Sequence, residues 1–361
     1  MNIIITSPSL DPNTNVTGIS SVTQFIIDNN ADHNYIHFEL GKKDAEHRNV
    51  LWFLRILLSY FNWCIILLKT KDALVHFNFA MSKPSIIRDS PLIIISRIFR
   101  TRMIIHLHGG EYLMNREMPL WMKLVLRLDF SGSIRKVVLS TLEAEALKSR
   151  LKTKNIFVLP NCVDLKDARK FKRDSMSIIN LNLLFLGRIS EKKGIEYIYL
   201  ALQSLKEKGI KFKFVMAGIG EEESIYVPKF KELLGNDFQF PGVVFGEAKI
   251  KLLEESNIFL LPSFFEGLPM SLLESMSFGM VPVVTEVGSI KNVITDGVNG
   301  IFVKKYSFDD IVSAIERLST DKAYMYSLSQ NAQQYIFDNY NPKEYICRLN
   351  QIYNYENDIK S

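Results

Sequence analysis

Glu266 and Glu274, with seven residues between them, mark the stretch FFEGLPMSLLESMSFGMVPVV at residues 264–284. The first follows an apolar run, NIFLLPS, that reads as a strand ending near Ser263. Gly267 frees the backbone, and Pro269 suits the first turn of a helix. The amides of Leu268, Met270 and Ser271 then fall among those that a helix start leaves unpaired. Aided by the helix dipole, such amides can hold a phosphate. Within one helix the two glutamates would lie about 12 Å apart along the axis. With Glu266 in the loop, both can face one cleft. Carboxylate oxygens accept hydrogen bonds from neighbouring hydroxyls, so a nucleotide-sugar, with its phosphates between two sugars, satisfies the whole arrangement. The plainer alternative is two helix-start glutamates favoured by the dipole.

A second cluster is LLFLGRISEKKG at residues 183–194. A strand ends at Gly187 with Arg188 at its mouth, and Lys192, Lys193 and Gly194 open the next helix. Fixed cations near a helix start form an anion site; a basic surface loop is the alternative. After the following strand, VMAGIGEEES places Gly218 and Gly220 where the backbone either approaches a ligand or simply turns.

These residues need a scaffold. Apolar runs alternate with helical patterns along most of the 361 residues. NIIIT, ALVHFNF, RMIIHLH, KVVLS and IFVLP read as strands, with helices near 18–29, 50–68, 85–99, 118–129 and 142–151. After a polar stretch at 166–177 come LNLLFLG, FKFVMAG, FQFPGVV, IFLLPS, VPVVT and GIFV. Helices there fit 194–208, 222–234, 247–255, 269–279, 289–295, 308–318 and 321–339. This alternation predicts an α/β fold of two doubly wound, Rossmann-like domains, in which ligands bind beyond the carboxyl ends of the strands. The expected boundaries are 1–168 for the first domain and 169–340 for the second. A helix at 341–361 is expected to pack back on the first.

Three cysteines without metal or disulfide spacing suit a reducing compartment. The opening residues read as a strand rather than a secretion signal. VLWFLRILLSYFNWCIILL at 50–68 is long and apolar, but Arg55 and Asn62 interrupt it and a strand pattern follows. It reads as a helix that is buried or touches a membrane rather than one that spans it. The net charge of +5 is uneven, with +6 on residues 1–165 and −1 on the rest. Lys83, Arg88, Arg97, Arg100, Arg102, Arg116, Lys123, Arg127, Arg135 and Lys136 lie among Phe99, Tyr112, Leu113, Trp121 and Met122. Such a mixture can attract an anionic membrane surface, and a solvated face is the alternative. No recognition motif accompanies the charge, so nucleic acid is not an expected partner.

Taken together, these motifs resemble those of the family 4 glycosyltransferases, retaining enzymes of the GT-B fold. FFEGLPMSLLE resembles the family's E-x7-E motif, and FLGRISEKKG resembles its G-R-x-x-x-x-K-G segment. VMAGIGEE resembles the glycine turn that follows. VLPNCVDL is similar to the V-x-P-N-G-V-D junction, with Cys162 where glycine is usual. NVTGISSV and HLHGGE resemble the two functional loops of the first domain. One departure is Ser289-Ile290-Lys291-Asn292, where Gly-x-Pro-Glu is usual after Gly288.

The resemblance implies a role for each residue. Arg188 and Lys193 would bind the donor diphosphate, with Gly187 and Gly218 in the loops beside it. Glu274 would hold the ribose. Glu266 would contact the donor sugar, with Gly267, Leu268, Pro269, Met270 and Ser271 near the phosphates. Gly18 would let its loop approach the donor. His108 would sit by the reacting sugar, touching a hydroxyl or passing a proton, whereas His106 and His76 read as structural. With no Asp-x-Asp at a strand end, no metal or other cofactor is expected. The implied reaction moves a sugar from a UDP- or GDP-sugar to a glycan or polyprenyl-linked acceptor. Its setting would be bacterial surface polysaccharide assembly (O-antigen, capsule or exopolysaccharide) at the cytoplasmic face of the membrane. The competing readings are another GT-B enzyme such as a sugar-nucleotide epimerase, a dinucleotide-dependent dehydrogenase, and a non-catalytic binding protein. SPSLDPNTNVTGIS lacks the G-x-G-x-x-G that the dehydrogenase would need.

Overall fold

A computed structural model describes residues 1–43, 46, 49–114, 116–174 and 179–355. The chain divides into two compact units, Met1–Asn161 with Lys343–Ser361, and Cys162–Pro342. The first unit runs β1 (Asn2–Ser7), α1 (Gly18–Asn29), β2 (Asn34–Glu39), α2 (Val50–Lys69), β3 (Leu74–Phe79) and α3 (Lys83–Ile98). It continues with β4 (Arg102–Leu107), α4 (Glu111–Met114), α5 (Leu120–Asp129), β5 (Arg135–Val138), α6 (Thr141–Leu151) and β6 (Ile156–Val158). The second opens with β7 (Leu181–Leu186), α7 (Ile195–Glu207), β8 (Phe212–Ala217), α8 (Glu223–Leu234), β9 (Phe238–Gly242) and α9 (Gly246–Glu255). Then come β10 (Ile258–Leu261), α10 (Met270–Ser277), β11 (Val281–Thr285), β12 (Ile301–Val303), α11 (Phe308–Thr320) and α12 (Lys322–Asn339). The last helix, α13 (Pro342–Asn354), lies almost wholly in the first unit.

Each unit holds one six-stranded sheet whose neighbouring strands pair in parallel. The orders are β2-β1-β3-β4-β5-β6 and β12-β11-β10-β7-β8-β9. All six residues of β3 are buried, as a strand covered on both faces requires. Short polar side chains start the helices by accepting an otherwise orphaned amide: Thr17 from Ser20, Asn49 from Trp52, Ser82 from Ser85, and Ser140 from Glu143. Helix α13 is fastened to its unit by Asn350, which bonds Asn30, and by Arg135, whose Nη1 donates to the carbonyls of Ile352 and Tyr353.

The structure departs from the sequence reading in several places. Strand β2 has no counterpart in the reading, because NYIHFE is a half-polar edge strand with no continuous apolar run. The helix expected at 289–295 is a 3₁₀ turn at Gly288–Asn292. The units part at Asn161, before the polar stretch taken as the break. Residues there already pack on the second unit: the buried Arg173 donates to the carbonyls of Phe278 and Leu253. Finally, five members of the basic-aromatic cluster are interior. Lys136 is buried with its ammonium on the carbonyls of Phe130 and Ile134, and Arg135, Tyr112, Leu113 and Met122 are buried too.

Candidate active site

In the second unit β7 and β10 are neighbours although β8 and β9 lie between them in sequence. Helical connections leave this point in opposite directions, and a crevice at the strands' carboxyl ends is the ligand position such sheets offer. The loops there are tied to one another by main-chain bonds. Gly187 N donates to Ala217 O (3.0 Å), Phe264 N to Lys192 O (2.9 Å) and Ser289 N to Gly267 O (3.0 Å). Gly218 shows how tight this is. At φ +136° its absent Cβ would stand 1.9 Å from the Gly187 carbonyl oxygen, so the close approach is to the neighbouring loop. Gly288, at φ +51°, meets the Glu266 carbonyl at 1.8 Å in the same way. A Cβ on Gly187 would find only Phe185, at 3.9 Å.

Lys193 and Glu266 meet on this scaffold. Lys193 Nζ donates to Glu266 Oε1 at 2.5 Å, and Ser263 Oγ donates to the same oxygen at 2.6 Å. The Glu266 side chain is 8% exposed and that of Lys193 25%, so the pair is poorly screened by water. Arg188 is more open and stands 3.9 Å from Glu221 Oε1. Glu274 has a separate partner, Lys249 of α9, whose Nζ lies 2.8 Å from Oε1. Lys249 escaped the sequence reading because nothing in GEAKIKLLEES separates it from the solvated lysines beside it.

Helix α10 starts at Met270 rather than Pro269, which sits just outside it, and no side chain caps it. The amides of Met270 and Ser271 therefore open onto the loop without an intrahelical acceptor. Leu268 is buried, while Gly267, Met270 and Ser271 are partly exposed. Ser289, in the departing segment, is 1% exposed and its hydroxyl has no hydrogen-bond partner. Such a group is costly unless something accepts or donates to it.

The first unit carries the other two candidates. Gly18 is the exposed first residue of α1. His108 follows β4 and its Nε2 lies 2.6 Å from Asn78 Oδ1. Asn78 Nδ2 donates to the Thr6 carbonyl (2.7 Å) and to Thr23 Oγ1 (3.0 Å). A carbonyl can only accept, so the amide is oriented with Oδ1 toward the imidazole, and His108 carries its proton on Nε2. Burial lowers its pKa to about 3. Behind it His106 stacks on His76, whose Nδ1 meets Tyr353 Oη at 2.7 Å and whose Nε2 meets His106 Nδ1 at 3.1 Å. Burial, then the neighbouring imidazoles, hold both well below the usual histidine range. A small pocket opens at the carboxyl ends of β1 and β3, where strand order reverses in this unit. Ser7, Lys42, Asn78, Ser85 and Arg88 supply its polar lining. Among the described residues no cluster of three or more His, Cys, Asp or Glu is placed to hold a metal ion.

The solved structures of sucrose-phosphate synthase from Thermosynechococcus elongatus and of HepE from Anabaena with UDP-glucose share this architecture. Their TM-scores are 0.77 and 0.71 at 16% identity, over 98% of both chains for the first and 97% and 98% for the second. The fold is GT-B. Residues 177–354 match the family model described as glycosyl transferases group 1. Two uncharacterized glycosyltransferases of Methanocaldococcus jannaschii are similar: MJ1607 at 31% identity (44% of this chain, 40% of that one) and MJ1069 at 26% (71% and 69%). A third relative is the N,N'-diacetylbacillosaminyl-diphospho-undecaprenol alpha-1,3-N-acetylgalactosaminyltransferase of Campylobacter jejuni, at 28% (43% and 41%). The chain thus spans less than half the length of MJ1607 and of the Campylobacter enzyme, and about two thirds of MJ1069. The fold is thus shared along the whole chain, and the match to the glycosyl transferases group 1 model lies in the second unit and α13.

Proposed function

We propose that this protein is a retaining glycosyltransferase that moves a sugar from a UDP- or GDP-sugar to a glycan or polyprenyl-linked acceptor in bacterial surface polysaccharide assembly. The observation that carries the reading is Lys193 on Glu266 beside the uncapped start of α10, at the reversal point of the second sheet. A cation, a hydroxyl-binding carboxylate and unpaired amides at one strand edge match the parts of a nucleotide-sugar. The UDP-glucose bound by HepE supports a UDP-sugar, and the lipid-linked substrate in the name of the Campylobacter relative supports a polyprenyl carrier. Retention of configuration rests on the resemblance to family 4.

In this reading an acceptor hydroxyl oxygen bonds the anomeric carbon as that carbon's bond to the diphosphate oxygen breaks, and the acceptor's proton passes to the departing diphosphate, which gains negative charge. Arg188 and Lys193 neutralise it, a task that a divalent metal performs in other enzymes. Glu266 accepts hydrogen bonds from the donor sugar and Glu274 from the ribose. Gly187 and Gly218 shape the loops around the donor. We assign His108 a hydrogen bond to a sugar hydroxyl rather than proton transfer, since a group with a pKa near 3 is a poor proton carrier at neutral pH. Calorimetric titration with a panel of nucleoside diphosphates and their sugars, with and without chelator, tests the reading. One diphosphate and its sugar should bind with or without chelator, and Glu274→Ala should weaken both. Binding by none of the panel would refute it.

A further inference from the structure

Helices α2, α3 and α5 lie side by side on the first unit, with Arg97 of α3 donating to the Leu128 carbonyl of α5. Their inner faces are core: Trp63 of α2 is fully buried, and its Nε1 donates to Leu92 O (3.1 Å) and Ser96 Oγ (3.0 Å) of α3. Their outer faces are apolar as well. Leu54, Leu57 and Phe61 on α2, Ile98 on α3, and Leu120 and Leu124 on α5 are 50–73% exposed. The spacing of 54, 57 and 61, and of 120 and 124, places each set along one stripe of its helix. Single exposed leucines need no explanation, but three neighbouring helices with apolar outer faces form a patch that marks an interaction site.

Charge selects the partner. Helix α2 has no Asp or Glu, and the only ones on α3 and α5, Asp89 and Asp129, are fully buried. Cations remain: Lys69 and Arg127 in the last turns of α2 and α5, Lys123 within α5, and the exposed Arg100 just after α3. An apolar face rimmed by cations, with no exposed carboxylate on its helices, complements an anionic lipid bilayer. Although α2 is long and apolar enough to cross a membrane, its buried Trp63, Ile56 and Leu67 bind it along the domain. Crossing would strip that core, whereas lying in the interface buries only the outer face.

We propose that the α2–α3–α5 face docks the protein in the plane of an anionic membrane, its leucines and phenylalanine entering the headgroup–acyl boundary. The inference goes beyond the transfer reaction, and its test needs no sugar donor, so either can fail alone. The test is cosedimentation of the whole chain with vesicles of equal phosphatidylglycerol and phosphatidylcholine, and with phosphatidylcholine alone. Wild type should bind the anionic vesicles more tightly, and added salt should weaken binding. Leu57→Asp with Leu124→Asp should lower affinity by about tenfold or more per leucine. Lys123→Gln with Arg127→Gln should lower it by about fivefold per charge. All four side chains lie outside the core, and an unchanged thermal midpoint verifies folding of each variant. Wild type that stays in the supernatant, or either folded pair that binds as wild type does, would overturn the proposal. So would light scattering that shows a dimer dissociated by the leucine pair without vesicle binding, since a second copy would then cover the face.

Discussion

Lys193 and Glu266 each hold a charge that the other makes tolerable. Removing one partner of a poorly screened pair leaves the other uncompensated, which costs more than the pair itself contributes. Lys193→Ala should therefore lose stability as well as activity. In Lys193→Ala with Glu266→Gln, part of the stability should return, with a coupling of about 1–3 kcal/mol in a double-mutant cycle, while turnover stays low. Denaturant unfolding of the four proteins checks this, and strict additivity would refute the coupling. At His108, nitrogen-detected magnetic resonance should find the proton on Nε2 and no titration between pH 8 and 5. A transition near pH 6.5 would contradict the burial that holds it neutral.

At the scale of elements, the loops that carry the site depend on backbone approaches that only glycine permits. Gly288→Ala places a methyl group against the Glu266 carbonyl at a positive φ. Overpacking of this kind costs about 1–3 kcal/mol, so the thermal midpoint should fall and donor affinity with it. An unchanged midpoint would show that these loops are not locked together. Here the sequence was most and least informative. Residues near Glu266 and Arg188 were legible because glycine, proline and charge at strand ends have local causes. Lys249 and Ser289 were not, because a lysine on a helix and a serine in a turn acquire meaning only from what lies across the fold. Strand β2 was missed for a related reason: an edge strand is half solvated and loses the apolar run that marks its neighbours.

For the whole molecule, the buried histidines of the first unit link stability to pH. His76 and His108 have pKa values lowered to about 3, and His106 lies well below its ordinary value, chiefly through burial. The unfolded chain protonates them near pH 6.5 and so binds more protons than the folded one below that pH. Their stabilisation is present above pH 6.5 and lost as pH falls, with a slope of up to about 1.4 kcal/mol per pH unit for each. Asp129, raised to about 6 by burial, acts in the opposite sense at lower pH. Between pH 7.5 and 6 the histidines dominate, and the thermal midpoint should drop. A midpoint that rises over that interval would contradict the account.

The central claim is that built-in cations, above all Lys193 with Arg188, stabilise a departing diphosphate. Its most direct test is the turnover of Arg188→Ala and of Lys193→Ala with the donor identified by titration, each variant first shown to be folded. The account predicts a kcat lower by on the order of 10²–10³-fold in each. Turnover near that of the wild type in both would contradict it.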